Sequence, residues 1–482
     1  MIPRRAAAVA LLALTAAAPE SRDWSTTLRT DAGALHEDIV ANHPGMVNAL
    51  DPGFAGREAA AYALLQKRAA SVTTYAGYRF ALSAYAASFD DGHMTVAPAD
   101  NAPVLAARWP GFLTGFDQRG QVVMTRTDRA PVPLGARLIA CDGVLADRLA
   151  RINIGAFDGR WFLASRRMLR GGRLLVDQGN PFIRRPARCA FDVGGKPLSV
   201  TLDWQPIDDA ELTRRIADTN QRTHEPIGAK TLPDGTRWFT LSGFNGDPAG
   251  ADAKGLVPLI AAMRADRAQL ESAPRIVLDL RGNNGGSSEW SVQIAQILWG
   301  EAAVDAVPDK EYVEWRASPA VIDTIKHYAV QFAADPDART RYMMMANGMT
   351  KANAAGRKLW REPDDPSDAS AAKLAPVKRL AAPIYYVTDT GCASACLDAV
   401  DLWRALGAIG VGQETSADTL YIDVRFATLP SGLARGVIPM KVYRDRPRAS
   451  NVPVAPDYRY PGDLRDTAKL AAWIATLPPK RP

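Results

Sequence analysis

The chain has 482 residues, of which 47% are hydrophobic and 23% are charged. This composition excludes a disordered chain and allows two or three domains, each with its own hydrophobic core. The formal net charge of +6 is small for this length, and no run of about five like charges is present to form a nucleic-acid-binding arm, so we expect no nucleic-acid partner.

The first 18 residues have the composition of an export signal. Arg4 and Arg5 precede a short run of Ala, Leu and Val that ends in Ala16–Ala18, which is the order found in cleavable signal peptides. The run is too short to span a bilayer, and no later stretch reaches about 18 uncharged apolar residues. We therefore expect cleavage of residues 1–18, a periplasmic or secreted protein, and no membrane span beyond the signal. An uncleaved anchor is the alternative.

Three regions with different patterns follow the signal. Residues 19–102 are rich in Ala and Leu at helical spacing, as in AGREAAAYALLQKRAASV, which predicts a helical region. Residues 103–206 carry short apolar runs separated by Gly, Pro and Asp, which predicts hairpin strands with one short helix. Residues 207–482 twice alternate strand, helix and strand, which predicts crossover units of a parallel sheet. Within this region, the polar segment at about 301–380 is interpreted as an insertion or lid.

One segment places a serine between a strand and a helix. In IYYVTDTGCASACLDAVDLW an apolar strand runs into small residues, then Ser394, then a helix. A tight turn there would expose the hydroxyl, and the unpaired N–H groups of the helix N-terminus would face a developing oxyanion. A serine at this place is, taken alone, more often a helix N-cap.

A second segment ends a strand with adjacent glycines. In RIVLDLRGNNGGSSEW the apolar strand leads into Asp-Leu-Arg-Gly-Asn-Asn-Gly-Gly at 279–286. Such glycines let the backbone approach a ligand closely and present amides to an anion. No Gly-Lys-Ser/Thr ending follows, so a phosphate-binding loop is disfavoured. A plain structural turn is the alternative.

Together the two segments resemble the serine peptidase family of C-terminal processing proteases, tail-specific proteases and the tricorn core. The resemblance covers most of the chain beyond the signal, and the two segments are about 110 residues apart. It implies an α/β (mixed α+β) fold with a ClpP/crotonase-like protease core and no metal or organic cofactor. It also implies Ser394 as nucleophile, with Gly285, Gly286 and Ala395 as the amides of the oxyanion hole.

Branches of this family differ in the base. One branch uses a lysine about 25 residues beyond the serine, but Asp418 stands at that position here. The tricorn-like branch uses a histidine at the end of the helical region, and SFDDGHMTV supplies His93 there. His93 is therefore predicted to take the proton from the serine hydroxyl and return it to the leaving group. The other histidines are expected to be structural or solvated: His36, His43, His224 and His327.

The sequence does not identify the group that orients His93. The tricorn-like branch has a glutamate just before a Gly-Val-x-Pro-Asp stretch, and RASNVPVAPD matches the later part with Ser450 at the glutamate's place. A base normally needs an orienting partner, so a catalytically weak or inactive peptide-binding protein of the same fold is the alternative function. Hydrolysis of a small ester or amide is a third. Carboxylates that could replace the glutamate are Asp90, Asp91, Asp418, Asp445 and Asp457.

The middle region resembles a PDZ domain. PLGARLIACDGVLADRL has the form of that domain's Gly-x-x-Ile-x-x-x-Asp-Gly segment. The resemblance implies that an extended peptide adds to a strand edge and that backbone amides hold its C-terminal carboxylate. Gly111, Phe112 and Leu113 are predicted to form this carboxylate loop, and generic β-rich packing is the alternative. The expected partner is a peptide or protein substrate recognised by its C-terminus, and no oligomeric state is predicted.

Four cysteines provide two candidate disulfides, and their even number fits an oxidising compartment. Cys392 and Cys396 flank the serine turn, and a bridge between them would fix the turn if it is tight. Two buried thiols are the alternative. Cys141 and Cys189 lie in separate predicted strands and could also pair. Without nearby histidines these cysteines do not indicate a zinc site, and neither flanking thiol occupies the nucleophile position.

Overall fold

The computed structural model describes residues 22–117, 119–220, 225–308, 310–363 and 379–478. The export signal predicted at residues 1–18 lies outside these ranges, as does His224. No helix in the described part of the chain is both long enough and apolar enough to cross a membrane.

The N-terminal region consists of three helices followed by a strand. Asp23 caps the first helix, because its side chain accepts a hydrogen bond from the N–H of Thr26. Thr74 caps the third helix in the same way. These elements are α1 (Trp24–Asn42), α2 (Phe54–Ala69), α3 (Tyr75–Ala87) and β1 (Thr95–Pro98).

The middle region is a β domain with short helices between its strands. Its elements are β2 (Ala107–Trp109), β3 (Phe112–Asp117), β4 (Gly120–Arg126), β5 (Arg137–Cys141), β6 (Val144–Leu145), α4 (Ala146–Ala150), α5 (Ala156–Asp158), α6 (Ala164–Arg170), β7 (Arg188–Val193), β8 (Lys196–Thr201) and β9 (Gln205–Ile207).

An antiparallel sheet forms the body of this domain. Its strands pair in the order β3-β4-β5-β7-β8, with β6 paired to β5. A disulfide joins Cys141 to Cys189, which face each other across β5 and β7. The short strands β2 and β9 pair with each other, so the two ends of the domain lie side by side.

The C-terminal region contains the remaining helices and strands. They are α7 (Asp209–Asp218), β10 (Gly228–Thr231), β11 (Arg237–Thr240), α8 (Ala251–Ala265), α9 (Arg267–Glu271), β12 (Ile276–Asp279), α10 (Glu289–Trp299), α11 (Glu301–Asp305), β13 (Tyr312–Arg316), α12 (Pro319–Gln331), α13 (Pro336–Ala354), β14 (Leu359–Arg361), β15 (Ile384–Thr388), α14 (Ala395–Ala405), β16 (Ile409–Gly412), β17 (Tyr421–Thr428), β18 (Ala434–Arg444), β19 (Tyr458–Arg459) and α15 (Thr467–Ala475).

A six-stranded sheet forms the core of this region, in the order β10-β11-β12-β15-β16-β19. All neighbouring strands from β11 to β19 are parallel. Every residue of β12 and β15 is buried, as expected for parallel strands with both faces covered. Because β12 and β15 are neighbours, the segments that follow them emerge at the same edge of the sheet, where α/β proteins place their sites.

A second, antiparallel sheet includes strands from distant parts of the chain. Its order is β1-β18-β13-β14, with β17 also paired to β18. The segment interpreted as an insertion or lid at 301–380 therefore does not form a detached lid, because it contributes β13 and β14 to this sheet. The pairing of β1 with β18 attaches the N-terminal region to the core and fixes the loop that precedes β1.

A buried ion pair ties the end of β12 to the C-terminal helix. The Arg281 guanidinium donates to both carboxylate oxygens of Asp279, at 2.8 and 2.5 Å, and the two side chains are 1% and 2% exposed. Trp238 Nε1 donates to the same carboxylate at 3.1 Å. Arg281 also donates to the carbonyl oxygen of Leu464 and to Thr467 Oγ1. The pair thus links β12, β11 and α15.

Arg281→Met is expected to lower the free energy of unfolding by about 3–5 kcal/mol, because it leaves Asp279 buried without its charged partner. Thermal and denaturant unfolding followed by circular dichroism measure the effect. Arg465→Met is the matched control, since its ion pair with Asp463 is half-exposed, at 53% and 50%, and its loss should cost about 0–1 kcal/mol. Equal destabilisation by the two substitutions would contradict this assignment.

Candidate active site

Ser394 occupies a strained turn directly before α14. Its backbone has φ 55° and ψ −130°, a conformation that costs a non-glycine residue about 1–3 kcal/mol. Its N–H donates to Asp418 Oδ1 at 3.0 Å, and a disulfide between Cys392 and Cys396 spans the turn. The serine side chain makes no capping hydrogen bond to the helix. Ser394 therefore does not act as the side-chain N-cap that was the alternative interpretation.

Asp418 is held in place by two arginines. Its carboxylate is 8% exposed and lies 3.0 Å from Arg448 Nη2 and 3.5 Å from Arg446 Nη1. Both arginines also bind Asp398 on α14, at 2.6 and 3.1 Å. The carboxylate is therefore neutralised within the protein, and its second oxygen fixes the Ser394 turn.

The glycine segment lies directly against this turn. A Cβ atom on Gly285, where φ is 108°, would be 2.6 Å from Ser394 Cβ and 2.7 Å from the carbonyl oxygen of Ala393. Gly286 pairs with Phe244, and a Cβ atom on Gly286 would be 2.0 Å from the Phe244 carbonyl oxygen. Only glycine fits at either position, so the two segments singled out in the sequence form one unit.

The three predicted oxyanion amides differ in what they bind. The N–H of Gly285 donates to Asn283 Oδ1 at 2.9 Å and is therefore already occupied. The N–H groups of Gly286 and Ala395 donate to no protein acceptor in the part of the chain that the structure describes. Ala395 is the first residue of α14, where N–H groups lack intrahelical acceptors. Gly286 and Ala395 are thus the two amides available to an oxyanion.

His93 lies in the loop between α3 and β1, with Asp91 and Thr419 beside its ring. Its Nδ1 is 3.3 Å from Thr419 Oγ1 and 3.7 Å from Asp91 Oδ1. The Thr419 hydroxyl donates to Asp91 Oδ1 at 2.7 Å, and the backbone N–H of His93 donates to the same oxygen at 2.8 Å. The Asp91 side chain is buried. Its carboxylate holds the backbone of His93 directly and the His93 ring through Thr419.

The other groups considered for this role lie elsewhere. Asp90 accepts the backbone N–H of Arg160 at 2.6 Å, and Asp457 accepts that of Gly410 at 2.8 Å. Asp445 is exposed, and within the described residues Ser450 forms no hydrogen bond with His93. The sequence contained no signal for Thr419, whereas Asp91 was visible only as one of five candidates.

Nearby carboxylates raise the pKa of His93 above its ordinary value of 6.5. Burial by itself lowers this pKa, but the negative charge of Asp91, whose Oδ1 lies 3.7 Å from Nδ1, outweighs burial. The Asp418 charge acts in the same direction, and Arg160 opposes it. Conversely, burial raises the pKa of Asp91, but the contacts with His93 lower it below its ordinary value. The ionised Asp91 carboxylate therefore stabilises the imidazolium form of His93.

His93 and Ser394 line the same cavity, which has a volume of about 320 Å³. Two apolar side chains of α6, Met168 and Leu169, form part of its wall, and Asn284 of the glycine segment faces it. No group of three or more His, Cys, Asp or Glu side chains in the described ranges could hold a metal ion. The cavity therefore brings a serine hydroxyl and an imidazole together.

The remaining histidines and the cysteines lie outside this arrangement. His36 binds Glu58 at 2.7 Å. His43 is fully buried, and burial lowers its pKa to about 4 although Asp91 and Asp51 oppose this. His327 is exposed on α12. The cysteines beside Ser394 are buried in their disulfide, which excludes them as nucleophiles in this state.

The predicted carboxylate loop of the β domain is not open in this structure. The Phe112 and Leu113 side chains are fully buried in the domain core, and the Gly111 carbonyl oxygen accepts the Thr127 N–H at 2.8 Å. Residues 164–173 pack against β3, the end strand to which a peptide would add. Peptide binding at these three residues stays a prediction.

Gly285→Ala is expected to displace the Ser394 turn and to destabilise the protein by more than about 2 kcal/mol, since the added methyl group would overlap Ser394 while φ stays positive. Gly432→Ala is the control, because Gly432 has φ 72° with no atom within 4 Å of the added Cβ and should cost about 1–2 kcal/mol. Thermal unfolding of both variants checks this. A Gly285→Ala protein as stable as the control would contradict the close approach.

The C-terminal region matches a known protein family. Residues 252–460 match the model of Peptidase family S41. The crystal structure of mature CPAF superposes with a TM-score of 0.58 at 11% identity, covering 90% of this chain and 92% of that chain. Mature CPAF complexed with lactacystin gives 0.57 at 12% identity, covering 90% and 94%.

At these identities the likeness to CPAF shows a shared fold alone, and comparison with curated proteins gave no match. The mixed α/β fold agrees with that of these CPAF structures. The matched segment contains both the glycine segment and Ser394. The resemblance predicted from these segments is thereby confirmed: residues 252–460 of this chain match Peptidase family S41.

Proposed function

We propose that this chain is an exported serine peptidase that hydrolyses peptide bonds with Ser394 as nucleophile and His93 as general base. The observation that carries the proposal is the cavity that an uncapped serine and a histidine line together. The free amides of Gly286 and Ala395 belong to the two segments that meet at this serine. The match of residues 252–460 to Peptidase family S41 supports a serine-type peptidase acting on peptides or proteins. Two disulfides in the fold favour an oxidising compartment, periplasmic or extracellular.

The chemistry follows from the placement of these groups. His93 takes the proton from Ser394 Oγ as the oxygen attacks the substrate carbonyl carbon. The oxyanion of the tetrahedral intermediate accepts hydrogen bonds from the N–H groups of Ala395 and Gly286. His93 then gives its proton to the leaving amine, and the amide C–N bond breaks. Water, with His93 again as base, hydrolyses the acyl-enzyme and regenerates the serine.

Asp91 and Thr419 are proposed to take the place of the missing glutamate. Because the Thr419 hydroxyl donates its proton to Asp91, its oxygen can accept the Nδ1–H of His93. This arrangement leaves Nε2 unprotonated and ready to act as base. The buried Asp91 charge stabilises the imidazolium that forms during attack. A partnered His93 favours the active peptidase over the inactive peptide-binding alternative.

Labelling by a fluorophosphonate probe tests the nucleophile and the base. The wild-type protein should label, Ser394→Ala should not, and His93→Ala should label about 10²–10⁴-fold more slowly because the general base is lost. Ser416→Ala is the matched control, since Ser416 lines the same cavity and should leave the labelling rate unchanged. A folded wild-type protein that does not label would support the inactive peptide-binding alternative.

The rate of labelling should rise with pH as His93 loses its proton. Since Asp91 raises the pKa of His93, the pH at which the labelling rate is half-maximal should lie above 6.5. Asp91→Asn removes the charge that stabilises the protonated ring, so this midpoint should move to lower pH while the maximal rate decreases. The second-order labelling rate constant, measured from pH 5 to 9, reports both changes.

The exposed Asp445 provides the control for this prediction. Asp445→Asn makes the same chemical change at another of the five candidate carboxylates and should leave the midpoint unchanged. Thr419→Val keeps the shape of the side chain but removes the hydroxyl, and it should lower the maximal rate. An unchanged midpoint in Asp91→Asn would show that Asp91 does not act on His93.

A further inference from the structure

A second cavity, of about 250 Å³, lies between the N-terminal helices and the β domain. It is bordered by α3, by β1 and by the segments around α5 and after α6. None of its lining residues also lines the cavity of Ser394. It is therefore a separate compartment, although β1 begins two residues after His93.

Positive charge dominates this cavity. Three arginines, Arg79, Arg170 and Arg173, line it together with a single carboxylate, Asp158. That carboxylate is already used, because it pairs with Arg170 at 2.9 Å and with Arg166. In the described part of the chain, Arg79 and Arg173 form no ion pair. Two guanidinium groups therefore lack a protein counter-charge.

The arginines are close enough to affect one another. Enclosure lowers the pKa of Arg173, and the charges of Arg170 and Arg79 lower it further. Like charges gathered at one cavity repel each other, and an anion bound between them would relieve the repulsion. Guanidinium groups suit carboxylates and phosphates, which they bind with two parallel hydrogen bonds.

A buried amide adds a neutral donor. Asn180 lines the cavity and is 8% exposed. Its Oδ1 accepts the N–H of Phe182 at 3.0 Å, so the orientation of the amide is fixed and Nδ2 must be the free end. Nδ2 has no hydrogen-bond partner within the described residues. A buried N–H without an acceptor is costly, so a hydrogen bond from this N–H to an oxygen atom of a ligand would be favourable.

Apolar side chains also line the cavity. Phe80 and Phe157 meet edge to face with their ring centroids 5.7 Å apart, and Ile154 and Val96 lie beside them. The volume is below the roughly 300–1,000 Å³ of sites for drug-sized ligands. A ligand for this site thus combines one anionic group with a small apolar group.

We propose that this cavity binds a small organic carboxylate that carries an apolar side group. Arg79, Arg173 and Asn180 hold the carboxylate oxygens, and the Phe80–Phe157 pair contacts the apolar group. The site is distinct from Ser394, and the proposal does not depend on the proposed peptidase activity.

Isothermal titration calorimetry with N-acetylphenylalanine tests the proposal, using Ser394→Ala protein so that no turnover occurs. The acid should bind, whereas its C-terminal primary amide should bind at least about tenfold more weakly, because a charge-assisted hydrogen bond is lost. Arg79→Gln and Arg173→Gln should each weaken binding of the acid roughly ten- to hundredfold. Arg188→Gln removes the same charge from an exposed position on β7 and should leave the affinity unchanged.

Thermal unfolding separates loss of the site from loss of the fold. Arg173→Gln removes like-charge repulsion, so it should not lower the melting temperature without ligand, but it should abolish the increase that N-acetylphenylalanine produces in the parent protein. The proposal is overturned if the acid does not bind at millimolar concentrations, or if the amide binds as tightly as the acid. It is also overturned if Arg79→Gln and Arg173→Gln bind the acid as tightly as the parent protein does. If inorganic phosphate binds as tightly as the acid, the assignment of an organic carboxylate is wrong, and the cavity is a general oxyanion site.

Discussion

The hydrogen bond from the Ser394 N–H to the buried Asp418 carboxylate fixes the geometry on which the site depends. It holds a serine in a left-handed backbone conformation that few L-residues adopt. A lone buried carboxylate would be costly, but Arg446 and Arg448 neutralise it. Because the same arginines pair with Asp398 on α14, they link the turn to its helix. The position where one family branch has a lysine base thus holds a structural carboxylate here.

Local patterns in the sequence were sufficient to predict the crossover units and the two segments that meet at Ser394, because each depends on residues close together in the chain. The partner of His93 could not be predicted in this way. Thr419 lies 326 residues from His93, and pairings such as that of β1 with β18 bring these distant parts of the chain together. Asp91 was visible beside His93, but four other carboxylates were equally consistent with the sequence because its tertiary distances were unknown.

Two further features also have physical causes. The sequence did not reveal that the segment at 301–380, interpreted as an insertion or lid, contributes strands to the second sheet. The reason is that β13 and β14 have only five and three residues and that β18 lies far away in the sequence. The N–H of Gly285 was predicted to face an oxyanion, yet the Asn283 side chain two residues earlier accepts it. Asparagine commonly makes this local turn, so that signal was present. The absence of a side chain, rather than the amide, explains why glycine is needed at 285.

Helix α6 lies between the cavity of Ser394, the second cavity and strand β3. It lines the cavity of Ser394 through Met168 and Leu169 and packs near β3, while its Arg170 faces the second cavity. Asp158 binds both Arg166 and Arg170, which fixes the helix between the two cavities. A displacement of α6 that opened β3 to a peptide would break these partly buried ion pairs, whose side chains are only 19–35% exposed. An incoming peptide would therefore have to replace those contacts before it could reach the strand edge.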